Sequence, residues 1–221
     1  MSTIVVIRHG ETEWSRTHRH TGRTDLPLTP YGEAQVRQLR RRLASLDVKF
    51  AEVWTSPLRR ASDTCALAGC ADVARVEPNL REWDCGEYEG LTLDEIHAQR
   101  PGWNLYRDGC PGGESPEQIE HRVAALVSEL RLATGPVALF SHGHLLCALA
   151  AQWIGLRVGD GARLRLDAAA LGILGVEHDA LGEPSIAAWN VNEKLSGTPQ
   201  VQVAMGRRRS DRPRLVSTRC A

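Results

Sequence analysis

An apolar run that ends in charge is the feature that most restricts what this chain can fold into. In Ile4 to Trp14, IVVIRHGETEW, four β-branched residues lead directly into Arg8, His9 and Gly10. Such a run reads as a buried strand that delivers charged side chains at its carboxyl end. In open α/β sheets, ligands bind outside the carboxyl ends of the strands. There Arg8 supplies a planar cationic fork for phosphate oxygens, His9 an imidazole able to act as nucleophile or base near neutral pH, and Gly10 a close backbone approach. The stretch points to phosphoryl transfer, with a strand end bearing two solvated polar residues as the plainer alternative.

The pattern recurs. Pro136 to Phe140, PVALF, gives the clearest core-strand signal and ends at Ser141-His142-Gly143-His144, before an apolar helix expected over Leu145 to Ile154. Two apolar runs ending in His-Gly bring His9 and His142 to one crevice. Between them, Glu52 to Ser56 reads as a strand, with Pro57 opening a helix. A helix that starts at a strand's carboxyl end aims N–H groups into the crevice, where Arg59 or Arg60 can reach a bound anion. Ala74 to Val76 is a third strand. The segment after it, NLREWDCGEYEGLTLDEI, offers Glu82, Asp84, Glu87 and Glu89 as acids for a departing ester oxygen, and a carboxyl pressed beside Trp83 is expected to have a raised pKa.

The remaining elements alternate in the same way. Glu11 to Leu28 is a polar loop expected over the first strand's end. Thr29-Pro30 opens a helix with Val36, Leu39, Leu43 and Leu46 on one face, while Arg37, Arg40, Arg41 and Arg42 fill a face read as solvated. RPGWNLYRDGCPGGES reads as a loop or lid across the site. Ser115 to Gln118 is a capping box for a helix burying Ile119, Val123, Leu126, Val127 and Leu130. Ala169 to Glu177 and Ile186 to Trp189 are the last strands, with His178 after the first. Beyond them, GRRRSDRPRLVSTRCA is too polar to join a core and reads as a flexible basic tail.

Composition narrows the function classes. The 221 residues suffice for one core without staples, and 27 basic residues balance 27 acidic ones, so charge points to neither nucleic acid nor membrane. Six cysteines without a CxxC pair, no leader and no long apolar run imply reduced thiols in a cytoplasmic protein. The eight histidines lack HExxH or carboxylate clustering, so no metal is expected.

RHGET, SPLRRA, LREWDCG and SHGH together, in that order, resemble the signatures of the histidine phosphatase superfamily, which includes cofactor-dependent phosphoglycerate mutase. The resemblance spans nearly everything before the tail and implies a three-layer α/β/α sandwich with a mostly parallel central sheet, phosphoglycerate mutase-like. The corresponding division is one domain over 1–198 and a tail over 199–221. The resemblance selects Arg60 over Arg59 and Glu82 over its acidic neighbours. It implies His9 as nucleophile, Arg8, Arg60 and His142 as phosphoryl-binding groups, and Glu82 as acid. TEWS, HTGRTDLPLTPYGE, LREW-x-x-G-x-YEG, the W-N-x-x-RDGC block and HGH are similar to the sedoheptulose-1,7-bisphosphatase group and related acid phosphatases. This closer likeness suggests Ser15, Thr21, Gly22, Ser56, Gly143, His144 and His178 as substrate contacts. Cys85 stands where that group has Tyr, and Cys147 where it has Arg.

The expected function is a cofactor-free and metal-independent phosphatase of small phosphorylated metabolites, sugar (bis)phosphates foremost, acting through phosphohistidine. A mutase-type phosphotransferase and a non-catalytic phosphate-binding module are the alternatives, and a homo-oligomer is compatible with either.

Overall fold

The first apolar run does form a strand, β1 (Ile4–Arg8), in a computed structural model that describes residues 3–177 and 182–192. After it come α1 (Glu13–Arg16), α2 (Pro30–Ser45), β2 (Glu52–Thr55), α3 (Arg59–Leu67), β3 (Ala74–Val76), α4 (Leu93–Gln99) and α5 (Leu105–Asp108). The chain continues through α6 (Pro116–Leu132), β4 (Val137–Ser141), α7 (Gly143–Trp153), β5 (Leu171–Glu177) and β6 (Glu183–Val191). Short 3₁₀ turns link several of these.

The strands make one sheet of order β3-β2-β4-β1-β5-β6. β3, β2, β4 and β1 are parallel, whereas β5 and β6 are antiparallel additions at one side. Because side chains alternate along a strand, β1 serves both faces. Ile4 and Val6 join Trp54, Leu139 and the buried faces of α6 and α7, while Val5 and Ile7 join Phe140, Cys65 and the Val36, Leu39 and Leu43 stripe of α2. Helices thus cover both faces, giving the expected three layers.

Register then builds the site. β1 pairs with β4 so that Arg8 lies beside Ser141, which sets the next residues, His9 and His142, side by side at the carboxyl edge. β2 flanks β4 from the other side with Thr55 against Phe140, so Ser56 and the start of α3 reach the same edge.

Three local expectations change. The helix after β2 starts at Arg59, and Ser56 rather than Pro57 organises its entry, its hydroxyl accepting from Leu58 N–H at 3.2 Å. The polar loop after β1 contains α1, whose Thr12 and Ser15 form a reciprocal cap. The WNLYRDGC block is no mobile cover: Trp103, Leu105, Tyr106 and Cys110 are buried in the core, and Trp103 Nε1 donates to Gly109 O at 2.7 Å. Burying large side chains at roughly 2 kcal/mol each fixes this segment as a wall. The expected basic tail and His178 lie outside the described residues. Among the described residues no helix is long and apolar enough to cross a membrane.

Candidate active site

His9 follows β1 directly and is 5% exposed. Its backbone is held on two sides, N–H to Ser141 O and C=O from Ala169 N–H, each at 3.0 Å. The ring places Nδ1 2.7 Å from Gly10 O. A carbonyl can only accept, so Nδ1 carries the hydrogen and Nε2 keeps its lone pair. Burial first, then the charges of Arg60 and Arg8, lowers the His9 pKa well below the ordinary imidazole value, so the ring is neutral. Gly10 is needed for packing here: a β-carbon would lie 2.7 Å from Gly32 O and 2.9 Å from Val36 Cγ2.

His142 has the opposite tautomer. Arg60, fully buried at the start of α3, donates its Nε–H to His142 Nδ1 at 3.1 Å. A guanidinium only donates, so the hydrogen of His142 sits on Nε2 and points to Ser56 Oγ at 2.8 Å. Burial and then the Arg60 charge lower this pKa too. The His9 and His142 rings meet edge-on, centroids 5.3 Å apart. Arg60 also donates to Thr24 O and Gly22 O, both at 2.9 Å. Arg8 donates to Leu166 O at 2.6 Å, while its Nε is buried and makes no hydrogen bond to the described residues.

Glu82 is 7% exposed and sits at the amino end of α7. Its Oε1 accepts from Trp83 N–H and Leu145 N–H, both at 2.9 Å, and its Oε2 from His144 N–H at 3.1 Å. The residue preceding α7, His142, makes no side-chain cap, so Glu82 caps that helix from a distant part of the chain. The sequence expectation of a raised pKa is overturned. Burial does push it up, but His144, the His142 ring and the Trp83 N–H outweigh burial and leave the carboxyl well below its usual range. His144 Nδ1 is 3.4 Å from Oε2, an ion-pair distance without an aligned hydrogen bond, so the backbone N–H groups do most of the holding.

A cavity of about 910 Å³ opens over this edge. Of the expected site residues, Arg8, Glu82, Ser15, Gly143 and His144 line it, and His9, Arg60 and His142 do not. Thr21, Gly22 and Ser56 stand behind it: the first two turn carbonyls to Arg60, and Ser56 accepts from His142. Gly143 leaves room for Arg8, whose Cζ would meet an added β-carbon at 3.3 Å. Cys147 also lines the cavity, its thiol 3.4 Å from Leu164 O and its pKa raised to about 12, chiefly by burial. Cys85 is buried against Trp83 O.

Several residues escaped the sequence reading. Tyr31, Gln35, Gln38 and Arg42 line the cavity from α2 at helical spacing, so part of the face read as solvated borders the site. Asp167 lines it as well and is tied to Asn190 and Asn192. Glu89 accepts from Gly22, Arg23 and Thr24 N–H groups, which makes it a loop anchor. Among the described residues no group of three or more His, Cys, Asp or Glu side chains is gathered to hold a metal ion.

The family model described as histidine phosphatase superfamily (branch 1) matches residues 4–192. An acid phosphatase of Mycobacterium tuberculosis is 38% identical over 177 residues, covering 79% of this chain and 87% of that protein. The sedoheptulose 1,7-bisphosphatase of Saccharomyces cerevisiae is 35% identical over 185 residues, covering 70% and 68%. A solved structure of mycobacterial glucosyl-3-phosphoglycerate phosphatase with VO₃ aligns at TM-score 0.76 and 30% identity, covering 87% of this chain and 100% of the other.

Proposed function

The chain belongs to the histidine phosphatase superfamily, branch 1, and from that premise we propose that it hydrolyses small phosphorylated metabolites, sugar (bis)phosphates foremost, through a phosphohistidine on His9. The observation that carries this reading is the bond from His9 Nδ1 to Gly10 O, which leaves Nε2 as a neutral, oriented nucleophile among two arginines and a second histidine.

The chemistry follows from these groups. Nε2 of His9 attacks phosphorus in line, forming N–P as the ester P–O bond breaks, while the charges of Arg8 and Arg60 stabilise the phosphoryl oxygens and His142 holds the Arg60 guanidinium in place. Glu82, protonated in the complex, gives its proton to the departing oxygen. A bound phosphate's negative charge beside Glu82 favours that protonated form, against the pull of the α7 amino end. Water then gives a proton to Glu82 and attacks phosphorus, N–P breaks, and phosphate leaves with His9 neutral again. Arg8 and Arg60 supply the positive charge, so the proposal needs no metal or cofactor.

Substrate class rests on the cavity. At about 910 Å³ it exceeds what a phosphoryl group alone requires. Gln35, Gln38, Glu11 and Asp167 offer hydroxyl partners, and Arg42 and Arg165 line the same space with charge for a second anionic group. The free thiols of Cys65, Cys70, Cys85, Cys110 and Cys147 support a reducing, cytoplasmic setting. The deciding experiment compares kcat/KM for sedoheptulose-1,7-bisphosphate, fructose-1,6-bisphosphate and 3-phosphoglycerate. A bisphosphate should lead; a leading phosphoglycerate would make the chain a mutase-type enzyme instead.

A further inference from the structure

Glu82 enters the reaction with a need that its nearest neighbours do not meet. Its partners are backbone N–H groups of Trp83, His144 and Leu145, which hold it ionised and cannot surrender a proton. A departing alkoxide nevertheless requires one. The side-chain nitrogen at ion-pair distance is His144 Nδ1, 3.4 Å from Oε2. That nitrogen is buried and has no hydrogen-bond partner among the described residues, yet the His144 side chain is 39% exposed and lines the cavity. One ring therefore spans the distance from a buried carboxylate to the open cavity.

The groups around the ring fix its position. His20 stacks on it at 6.0 Å and 5° between planes, with its own Nδ1 3.2 Å from Leu91 O. Burial, and then repulsion from His144, lowers the His20 pKa. Tyr106 stands edge-on at 6.0 Å and donates its hydroxyl to His144 O at 3.1 Å, which fixes the backbone beneath the ring. Its own pKa is raised well above the ordinary phenol value, chiefly by burial, so it stays protonated. Glu82 faces Nδ1, and Arg8 borders the same cavity from β1.

Resting on the phosphatase reading above, we infer that His144 is a proton-relay residue acting through Glu82, exchanging protons between the cavity and Oε2. In the first half-reaction His144, protonated on both nitrogens, passes its Nδ1 proton to Oε2 and becomes neutral. Glu82 then passes that proton to the ester oxygen as P–O breaks. In the second half-reaction Glu82 takes a proton from the attacking water and returns it to Nδ1. The net change is ester plus water to alcohol plus phosphate.

The test compares His144→Ala and His144→Asn with wild type on p-nitrophenyl phosphate and on whichever alkyl phosphate the wild type turns over fastest. The nitrophenolate leaves without protonation, so the variants should lose less on it than on the alkyl ester, any loss coming from the phosphohistidine hydrolysis that both esters share. Turnover of the alkyl ester should fall by about 10²-fold in both variants, the scale of lost acid catalysis. Added imidazole should restore the alkyl ester rate in His144→Ala, with a pH profile following the added imidazole. Equal losses on both esters, or an alkyl ester rate indifferent to imidazole, would overturn the relay while leaving the phosphatase reading intact. A wild-type chain that releases phosphate from no ester would overturn both.

Discussion

The Nε–H of Arg60 points at Nδ1 of His142 from 3.1 Å. That contact joins α3 to the end of β4 and forces the hydrogen of His142 toward Ser56. Lysine would keep the charge but lose the fork that serves His142, Thr24 and Gly22 together. Arg60→Lys should therefore lower kcat/KM by at least ~10²-fold, as for loss of one preorganised donor to a transition state. Phosphate-release kinetics check this, and a rate near wild type would remove Arg60 from the mechanism.

His9 should be labelled during turnover, and at one nitrogen. With Nδ1 committed to Gly10 O, phosphorus attaches at Nε2. Acid-labile, base-stable label should form in the wild type, with NMR or mass spectrometry assigning it to Nε2. Label that persists in His9→Ala would show that another residue is the nucleophile.

Glu82→Gln should lose ~10²-fold or more with sugar phosphates and much less with p-nitrophenyl phosphate, whose leaving group needs no proton. The substitution keeps an oxygen for the N–H groups of Leu145 and Trp83, so folding should be preserved. Parallel losses on both esters would make Glu82 a structural cap only.

Depressed histidine pKa values have two consequences of opposite sign. Neutral His9 remains a nucleophile well below pH ~6.5, so protonation of His9 should not lower kcat/KM as pH falls through the ordinary imidazole value. Stability should fall in that same range. Below pH ~6.5 the unfolded chain takes up protons that buried His9 and His142 refuse, and stability drops until their folded values are reached. Urea unfolding and initial rates at matched pH measure both, and an activity loss on acidification centred near pH 6.5 would contradict the assignment.

EDTA should leave the rate unchanged, because Arg8 and Arg60 supply the charge for the phosphoryl oxygens. Loss of activity that magnesium restores would require a different chemistry.

The site was legible wherever it depended on strand ends. Continuous apolar runs marked β1 and β4, and their His-Gly endings sufficed to bring His9 and His142 together. The polar face of α2 was not legible, since an amphipathic pattern separates core from non-core but not water from cavity. Tyr31, Gln35 and Gln38 were invisible for that reason. The pKa of Glu82 was misjudged because its partners, His144 and Leu145, lie more than sixty residues away. Trp83, its sequence neighbour, suggested only the burial.

The loop from Thr21 to Thr24 is gripped by two side chains of opposite charge, its carbonyls by Arg60 and its N–H groups by Glu89. For anyone redesigning substrate choice, this makes the loop a poor cassette. A transplanted segment of different length or curvature would strand a buried guanidinium and a carboxylate together, and Arg60 would drift from His142 before any new substrate contact was tested. Exchange would have to move the loop and the Glu89 turn as a pair, with Arg60 left in place as the shared hinge pin. By contrast, Gln38 projects from a helix whose backbone satisfies itself, whereas Gln35 holds the Glu11 N–H at 3.0 Å, so specificity is more safely rewritten at Gln38.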